Sequence, residues 1–263
     1  VLFKILNWDK KMTDVVVKTE YKFALHAPDC TLHLENFDDE KNFTPKKLEN
    51  EVGAGCDFNT DVNFIEEVIE RFPLEDGEKI NWLDLGCAGG KLILDVSKNE
   101  KTNICIGLDG SVGVYKQESW SSGNNTDILK NADLSKEFFI ENAFSGERVI
   151  FDVITAWELL EHFYENELEI FFNNVYEHLS DDGVFIGSAA NYPDIRDENG
   201  YCPSDSLFNK NGNLYDLHKI FWNRNTWNQY LSKWFDVQTF DFDNKFRDMH
   251  EGLTYYFMCT KKV

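Results

Sequence analysis

The rhythm of apolar and polar positions changes at about residue 60. Up to residue 58 the chain is mixed and irregular, with Pro28, Pro45 and the break Gly53-Ala54-Gly55, and it reads as an N-terminal cap preceding a main domain over 59–263. Beyond it, Val62, Ile65, Val68, Ile69 and Phe72 recur at helical spacing with Glu66, Glu67 and Glu70 between them, which predicts an amphipathic helix stopped by Pro73. Strands and helices then alternate. Residues 80–85 read as a short strand, 91–97 as a helix, 104–108 as a strand and 111–120 as a helix. A weaker strand precedes Asp133, 149–156 is the most strand-like stretch, and Leu168, Phe171, Val175 and Leu179 mark one face of a long helix before a strand at 183–189. Such alternation predicts an α/β fold with a mostly parallel sheet covered by helices on both faces. After a helix at 227–234, two strands at 235–240 and 254–260 follow with no helix-length segment between them, which predicts an antiparallel hairpin at one sheet edge. The stretch from 191 to about 217 is rich in Asn, Asp, Gly and Pro, and a loop of that length serves as a lid or binding loop.

Composition narrows the partners. The chain has 263 residues, 26 Lys+Arg against 47 Asp+Glu and a net charge of −21, with 42% hydrophobic and 15% aromatic residues. That is a globular composition for one elaborated α/β domain, and its charge repels phosphate backbones and anionic lipid. No apolar run approaches the roughly 20 residues that span a bilayer, and the opening Val-Leu-Phe-Lys-Ile-Leu is too short for a signal-peptide core. The first residue is Val1 and the earliest Met is Met12, so a domain within a larger multidomain polypeptide is expected. Six scattered cysteines show neither zinc spacing nor a disulfide framework, which points to a reducing, cytoplasmic compartment.

The densest chemical signal is Leu83-Asp84-Leu85-Gly86-Cys87-Ala88-Gly89-Gly90, a glycine-rich turn between the first strand and its helix. Glycines let backbone turn sharply and approach a ligand, and α/β folds bind ligands beyond the C-terminal ends of their parallel strands. Asp109 ends the next strand, where a carboxylate can accept from both hydroxyls of a ribose, and Asp133 follows the third strand. Taken singly, each has a plainer reading as a tight connection or a helix cap. In order on successive strands, the three resemble the class I S-adenosylmethionine-dependent methyltransferases. Residues 83–90 resemble that family's first motif, 106–111 its second, Asn131-Ala132-Asp133 its third, 151–158 its fourth strand and 179–187 its turn into the fifth. The resemblance implies a Rossmann-like, seven-stranded, mostly parallel sheet with a terminal antiparallel hairpin. It also implies S-adenosylmethionine as cofactor, with Asp84, Gly86 and Gly89 along its methionine part, Asp109 on the ribose and Asp133 by the adenine. Cys87-Ala88 stands where the family more often has glycine.

A second constellation is Glu158-Leu159-Leu160-Glu161-His162. On a helical turn these three polar side chains would face one patch, able to act as catalytic base or to bind a divalent cation, with His218 completing the shell. The plainer reading is a solvated helix start favoured by the dipole. The pattern resembles the metal site of small-RNA terminal 2′-O-methyltransferases and the same stretch of ubiquinone-pathway O-methyltransferases. The resemblance therefore implies Glu158, Glu161 and His162 as catalytic residues, and Glu158, Glu161, His162 and His218 as ligands of Mg²⁺ or Mn²⁺.

The whole run from 106 to 111, 154 to 162, 185 to 188 and 218 to 222 is similar to methyltransferases of glycan assembly, including domains of algal-virus glycosylation proteins. That similarity implies O-methylation of a sugar hydroxyl, such as that of a deoxyhexose like rhamnose, in a carbohydrate or glycan acceptor, and a host-cytoplasmic location if the chain is viral. RNA 2′-O-methylation shares the Glu-x-x-Glu-His pattern but conflicts with the charge. Other small-molecule O-methylation remains an alternative. A nicotinamide-dependent oxidoreductase would suit Asp109, but Gly86-Cys87-Ala88-Gly89-Gly90 misses the dinucleotide spacing. A non-catalytic domain would leave both constellations unused. Trp157, Tyr164, Trp222 and Trp227 are candidates for stacking on a sugar or adenine ring. His178 reads as a C-terminal partner of its helix dipole.

Overall fold

Strand residues in this chain alternate between two cores, one on each side of a single sheet. The computed structural model describes residues 15–22, 62–111, 120, 125–192, 219–238, 240–242 and 254–262. In β2 (Ile80–Leu85) Trp82 enters one core while Leu83 and Leu85 enter the other. In β6 (Phe151–Trp157) Val153 and Trp157 share the first core, and Ile154 and Ala156 the second. This is the two-residue period of a strand with both faces covered.

The covering helices come from both sides. α1 (Val62–Ile69) and α2 (Lys91–Val96) bury Phe64, Ile65, Val68, Leu92 and Ile93 in the core of Trp82. α4 (Glu165–His178) and α5 (Arg224–Leu231) bury Leu168, Phe171, Phe172, Val175, Trp227 and Leu231 in the other. The remaining sheet elements are β3 (Thr102–Asp109), β4 (Leu129–Asn131, after the one-turn α3, Asn125–Ile128), β7 (Leu179–Ala190), β8 (Phe235–Gln238) and β9 (Thr254–Lys261). The order is β4-β3-β2-β6-β7-β9-β8 in one seven-stranded sheet. Pairing is parallel from β4 to β7, and β9 runs antiparallel to both β7 and β8. This is the expected α/β, Rossmann-like sheet with its terminal antiparallel pair.

Several ends shift. The strand expected at 104–108 begins two residues earlier and ends one later, and that expected at 183–189 begins at Leu179, since Phe151 pairs with Leu179 across an irregularity before Val153 meets Val184. Residues 112–119 of the helix expected at 111–120, and residues 193–217 of the loop expected from 191 to about 217, lie outside the described residues. Unforeseen is a second, two-stranded sheet in which β1 (Val15–Lys18) pairs antiparallel with β5 (Phe139–Asn142). So part of the N-terminal stretch packs against the main domain. Among the described residues no helix is long and apolar enough to cross a membrane.

His178 departs from its dipole reading. Its ring is 1% exposed, donates from Nδ1 to the Asn174 carbonyl at 2.8 Å, accepts the Ile140 N–H on Nε2 at 3.1 Å and stacks on Phe138 at 5.3 Å. The imidazole is therefore a neutral spacer between α4 and β5, and burial, with Arg148 nearby, lowers its pKa from 6.5 to about 4. A depressed histidine pKa contributes stability that is whole above pH 6.5 and is lost as pH falls towards 4. The loss reaches about 3 kcal/mol. Urea unfolding across pH 7 to 4 should show this slope in the native chain, and the difference against His178→Gln should isolate it; parallel pH profiles would refute it.

Candidate active site

The C-terminal ends of β2, β3 and β6 lie side by side, and the chain turns there in conformations the sequence specifies. After Leu85 the backbone enters the left-handed region at Gly86, φ +71°, where a Cβ would lie 2.9 Å from Leu159 Cδ1. Glycine therefore permits both the turn and a close approach to the segment after β6. The Gly86 and Cys87 N–H groups both donate to the Leu108 carbonyl, at 2.8 and 3.1 Å, which fastens the turn to the end of β3. Ala88 is also left-handed, φ +48°, at the place where glycine was expected to be commoner. Its N–H donates to Asp109 Oδ2 at 3.0 Å, and its carbonyl accepts the Trp120 indole N–H at 2.9 Å. These bonds hold alanine in a backbone region it disfavours by roughly 1–2 kcal/mol.

Asp109 is buried and takes a second N–H, from Ser111, on Oδ1 at 2.7 Å. Burial pushes its carboxyl up to about 6, against the opposing pull of those two donors. Each oxygen keeps a lone pair, so the group still fits two further donors such as ribose hydroxyls. Asp84 is buried too and accepts the Thr155 hydroxyl at 2.7 Å, while Thr155 accepts the Trp82 indole N–H at 3.1 Å. Gly89 is buried in the same turn. Asp133 caps its own turn, accepting Ser135 N–H and hydroxyl at 3.0 and 2.7 Å, and its N–H donates to the Tyr21 carbonyl at 2.8 Å. A segment from the expected N-terminal cap thus reaches the end of β4.

Beyond β6 lies the second constellation. Glu158 is left-handed, φ +47°, and is held there by Ser188 of β7. Its N–H reaches the Ser188 carbonyl at 3.0 Å and the Ser188 hydroxyl donates to its Oε1 at 2.7 Å. A 3₁₀ turn follows at Leu160–His162. The Glu161 carboxyl is 1% exposed, and its Oε2 has no hydrogen-bond partner among the described residues. Burial and the adjacent Glu158 charge hold it well above the usual carboxylate range, which favours one proton between the pair. The Glu161 carbonyl accepts the N–H groups of Lys219 and Ile220, at 2.7 and 3.2 Å, so the turn is stitched to the segment that begins at Lys219. The Tyr192 phenol lies near enough to both carboxylates for their charge and its burial to raise its pKa.

The structure thus brings Glu158 and Glu161 together as a pair. Successive residues of a 3₁₀ turn point a third of a turn apart, so His162 does not extend the direction of Glu161. Among the described residues no group of three His, Cys, Asp or Glu side chains is placed to hold a metal ion, and His218 lies outside them. Of the expected four ligands, Glu158 and Glu161 are the two that the described residues bring together. Trp157 and Trp227 are core residues, Trp227 donating to the Ala190 carbonyl at 3.0 Å, whereas Tyr164 is exposed and Trp222 half-buried.

A family profile described as a methyltransferase domain matches residues 58–233. The chain belongs to that family. No curated protein matches it in sequence. Among solved structures it resembles an S-adenosylmethionine-dependent methyltransferase from Clostridium acetobutylicum, at 14% identity and a TM-score of 0.54 over 83% of this chain and 97% of that one. LepI, solved in complex with S-adenosylmethionine, aligns at 12% identity and a TM-score of 0.54 over 89% of this chain and 55% of its own. A protein from Pyrococcus horikoshii aligns at 14% identity and a TM-score of 0.50, over 84% of this chain and 100% of that one. At such identities the likeness is one of fold, the methyltransferase fold this family carries.

Sequence reasoning passed over Thr155 and Tyr192. Thr155 left a signal, since with Asp152 it is one of two polar residues inside the most strand-like stretch; Tyr192 left none. Replacing Ser188 by Ala removes the hydroxyl that holds Glu158 in its strained turn, and should lower stability by about 1–3 kcal/mol. Urea titration checks this, and a change within error would show that the Glu158 turn stands without it.

Proposed function

We propose that this methyltransferase domain transfers a methyl group from S-adenosylmethionine to a hydroxyl of a sugar or related polyol. The observation that carries the reading is the buried Glu161 Oε2, an acceptor position without a donor among the described residues, beside Glu158 at the end of β6 and against the glycine turn through Leu159. A buried carboxylate oxygen left unpaired costs free energy, and a ligand hydroxyl is the kind of donor that offsets it. Two adjacent carboxylates match the paired hydroxyls of a sugar ring. Aromatic Tyr164 and Trp222 flank the segment that Glu161 anchors, where they support contact with the apolar face of a sugar. The net charge of −21 weighs against an RNA acceptor.

In this reading Asp109 accepts the two ribose hydroxyls, the turn from Asp84 to Gly89 runs along the methionine part, and Asp133 lies by the adenine. When bound, S-adenosylmethionine supplies a methyl already activated on a positive sulfur. The acceptor oxygen forms the new C–O bond as the C–S bond breaks. Half-buried Glu158 receives the hydroxyl proton, Glu161 aligns the acceptor by hydrogen bonding, and His162 relays the proton towards solvent. Glu158 and Glu161 are also the residues that would hold a divalent cation, with His162 and His218 drawn in as further ligands. Such an ion would acidify a coordinated hydroxyl.

Calorimetric titration with S-adenosylhomocysteine and with NAD, each with Mg²⁺, Mn²⁺ or a chelator, tests the cofactor side. S-adenosylhomocysteine alone should bind, and Asp109→Ala should weaken it about tenfold or more. His162→Ala should leave that binding intact while abolishing methyl transfer to deoxyhexose glycosides. Equal loss of cofactor binding in both variants would overturn the division of labour. Turnover surviving a chelator would assign the proton transfer to Glu158 without metal. Because burial raises Asp109 to about 6, S-adenosylhomocysteine affinity should fall as pH drops through 6, and Asp109→Asn should remove that dependence.

A further inference from the structure

A second site lies one strand away from the carboxylate pair. β8 pairs with β9 only from Met258 to Lys261, so the first residues of β9 run on past its end. There a cleft of about 540 Å³ opens between α5 and the β8–β9 pair, lined by Arg224, Asn228, Gln238, Phe240, Tyr255 and Tyr256 among others. Its volume falls within the roughly 300–1,000 Å³ of small-molecule sites.

The chemistry of its walls is specific. Among the described residues the Arg224 guanidinium has no hydrogen-bond or carboxylate partner, and no acidic residue lines the cleft. Of the three described arginines, Arg71 meets Asp241 and Arg148 meets Glu177, whereas Arg224 meets no carboxylate among the described residues. The Asn228 carboxamide accepts the Tyr255 hydroxyl through Oδ1, which fixes its orientation and leaves its N–H₂ uncommitted; the Gln238 amide likewise has no partner among the described residues. Phe240 and Tyr256 pack ring against ring at 5.1 Å and supply an apolar wall. A forked cation, oriented amides and aromatic faces together suit a ring that carries hydroxyls, an apolar C–H face and an oxyanion.

The position ties this cleft to the reaction. Tyr256 pairs across the sheet with Ser188, whose hydroxyl holds Glu158, and the Arg224 N–H donates to Asn191 Oδ1, beside Tyr192. Resting on the reading of the protein as a sugar O-methyltransferase, we propose that this cleft is a second acceptor subsite, which binds an anionic sugar residue, a uronate or a sugar phosphate, next to the one methylated. Arg224 then sets specificity for charged acceptors without touching the reacting atoms.

The test reads binding without turnover. The full chain, isotopically labelled and saturated with S-adenosylhomocysteine, is titrated by NMR with glucuronic acid, glucose 1-phosphate, glucose and inorganic phosphate. The charged sugars should bind about tenfold more tightly than glucose or phosphate, shifting the Arg224 Nε–H and the Asn228 and Gln238 side-chain amides. Preference between the two charged sugars tells uronate from phosphate. Arg224→Gln, an exposed position expected to leave the fold intact, should abolish the advantage over glucose. Equal binding of all sugars, shifts confined to other parts of the chain, phosphate binding as tightly as the sugars, or an unchanged preference in Arg224→Gln would each overturn the subsite. Arg224-dependent sugar binding with no methylation of any glycoside would uphold the sugar site and overturn the reading of the reaction instead.

Discussion

The Asp109 carboxylate is the junction on which the rest of the site depends. It lies buried at the end of β3, and its two oxygens accept one N–H from the turn after β2 and one from its own turn. The Ala88 turn would otherwise expose a buried backbone donor, and its left-handed alanine has no preference for the conformation it holds. A hydrogen bond to an ionised acceptor is among the stronger ones available, and it outweighs the local backbone penalty. Once that turn is set, Gly86 leaves room for Leu159, and the segment after β6 can lie against it. The carboxylate pair is thereby placed next to the glycine turn by packing rather than by any direct bond between the two halves.

The sheet was legible because both its faces are buried. Trp82, Val153 and Ile186 on one side and Leu83, Ile154 and Phe185 on the other make near-continuous apolar runs, which mark parallel strands strongly. The glycine turn and the aspartate ending β3 were legible for a related reason, since each closes an apolar run, whereas Asp133 follows the short Leu129-Lys130-Asn131 strand and was marked by its place in the order of motifs. The small sheet of β1 and β5 was not. Val15–Lys18 and Phe139–Asn142 are four residues each and only half covered, so their alternation is too short to separate from loop. The true place of His178 was equally hidden, because its partner Ile140 is 38 residues away and no local pattern records a ring nitrogen accepting a strand N–H.

The Glu-x-x-Glu-His pattern shows what spacing alone conveys. Residues three and four apart share a face only on a regular helix, and this segment is a left-handed residue followed by a single 3₁₀ turn. The pattern marked two carboxylates that meet, while the 3₁₀ turn sets the imidazole of His162 a third of a turn from Glu161. What sets the pair is Ser188, a residue of the next strand 30 positions on, which fixes Glu158 from both its backbone and its side chain.

A buried acid beside a half-buried one is unfavourable in a chain that already carries so many. Replacing Glu161 by an apolar residue of similar size would remove the repulsion and the unpaired oxygen at once, and stability alone gives no reason to keep it. The strained Glu158 backbone points the same way, since non-glycine residues persist in the left-handed region where neighbouring structure enforces it. Strain, like-charge proximity and a vacant acceptor coincide within four residues at the mouth of the sheet. Asp84, by contrast, is buried with its Thr155 donor in place and Asp109 with two backbone donors. The acids on the glycine-turn side are satisfied by the protein itself, whereas Glu161 keeps an oxygen with no hydrogen-bond partner among the described residues.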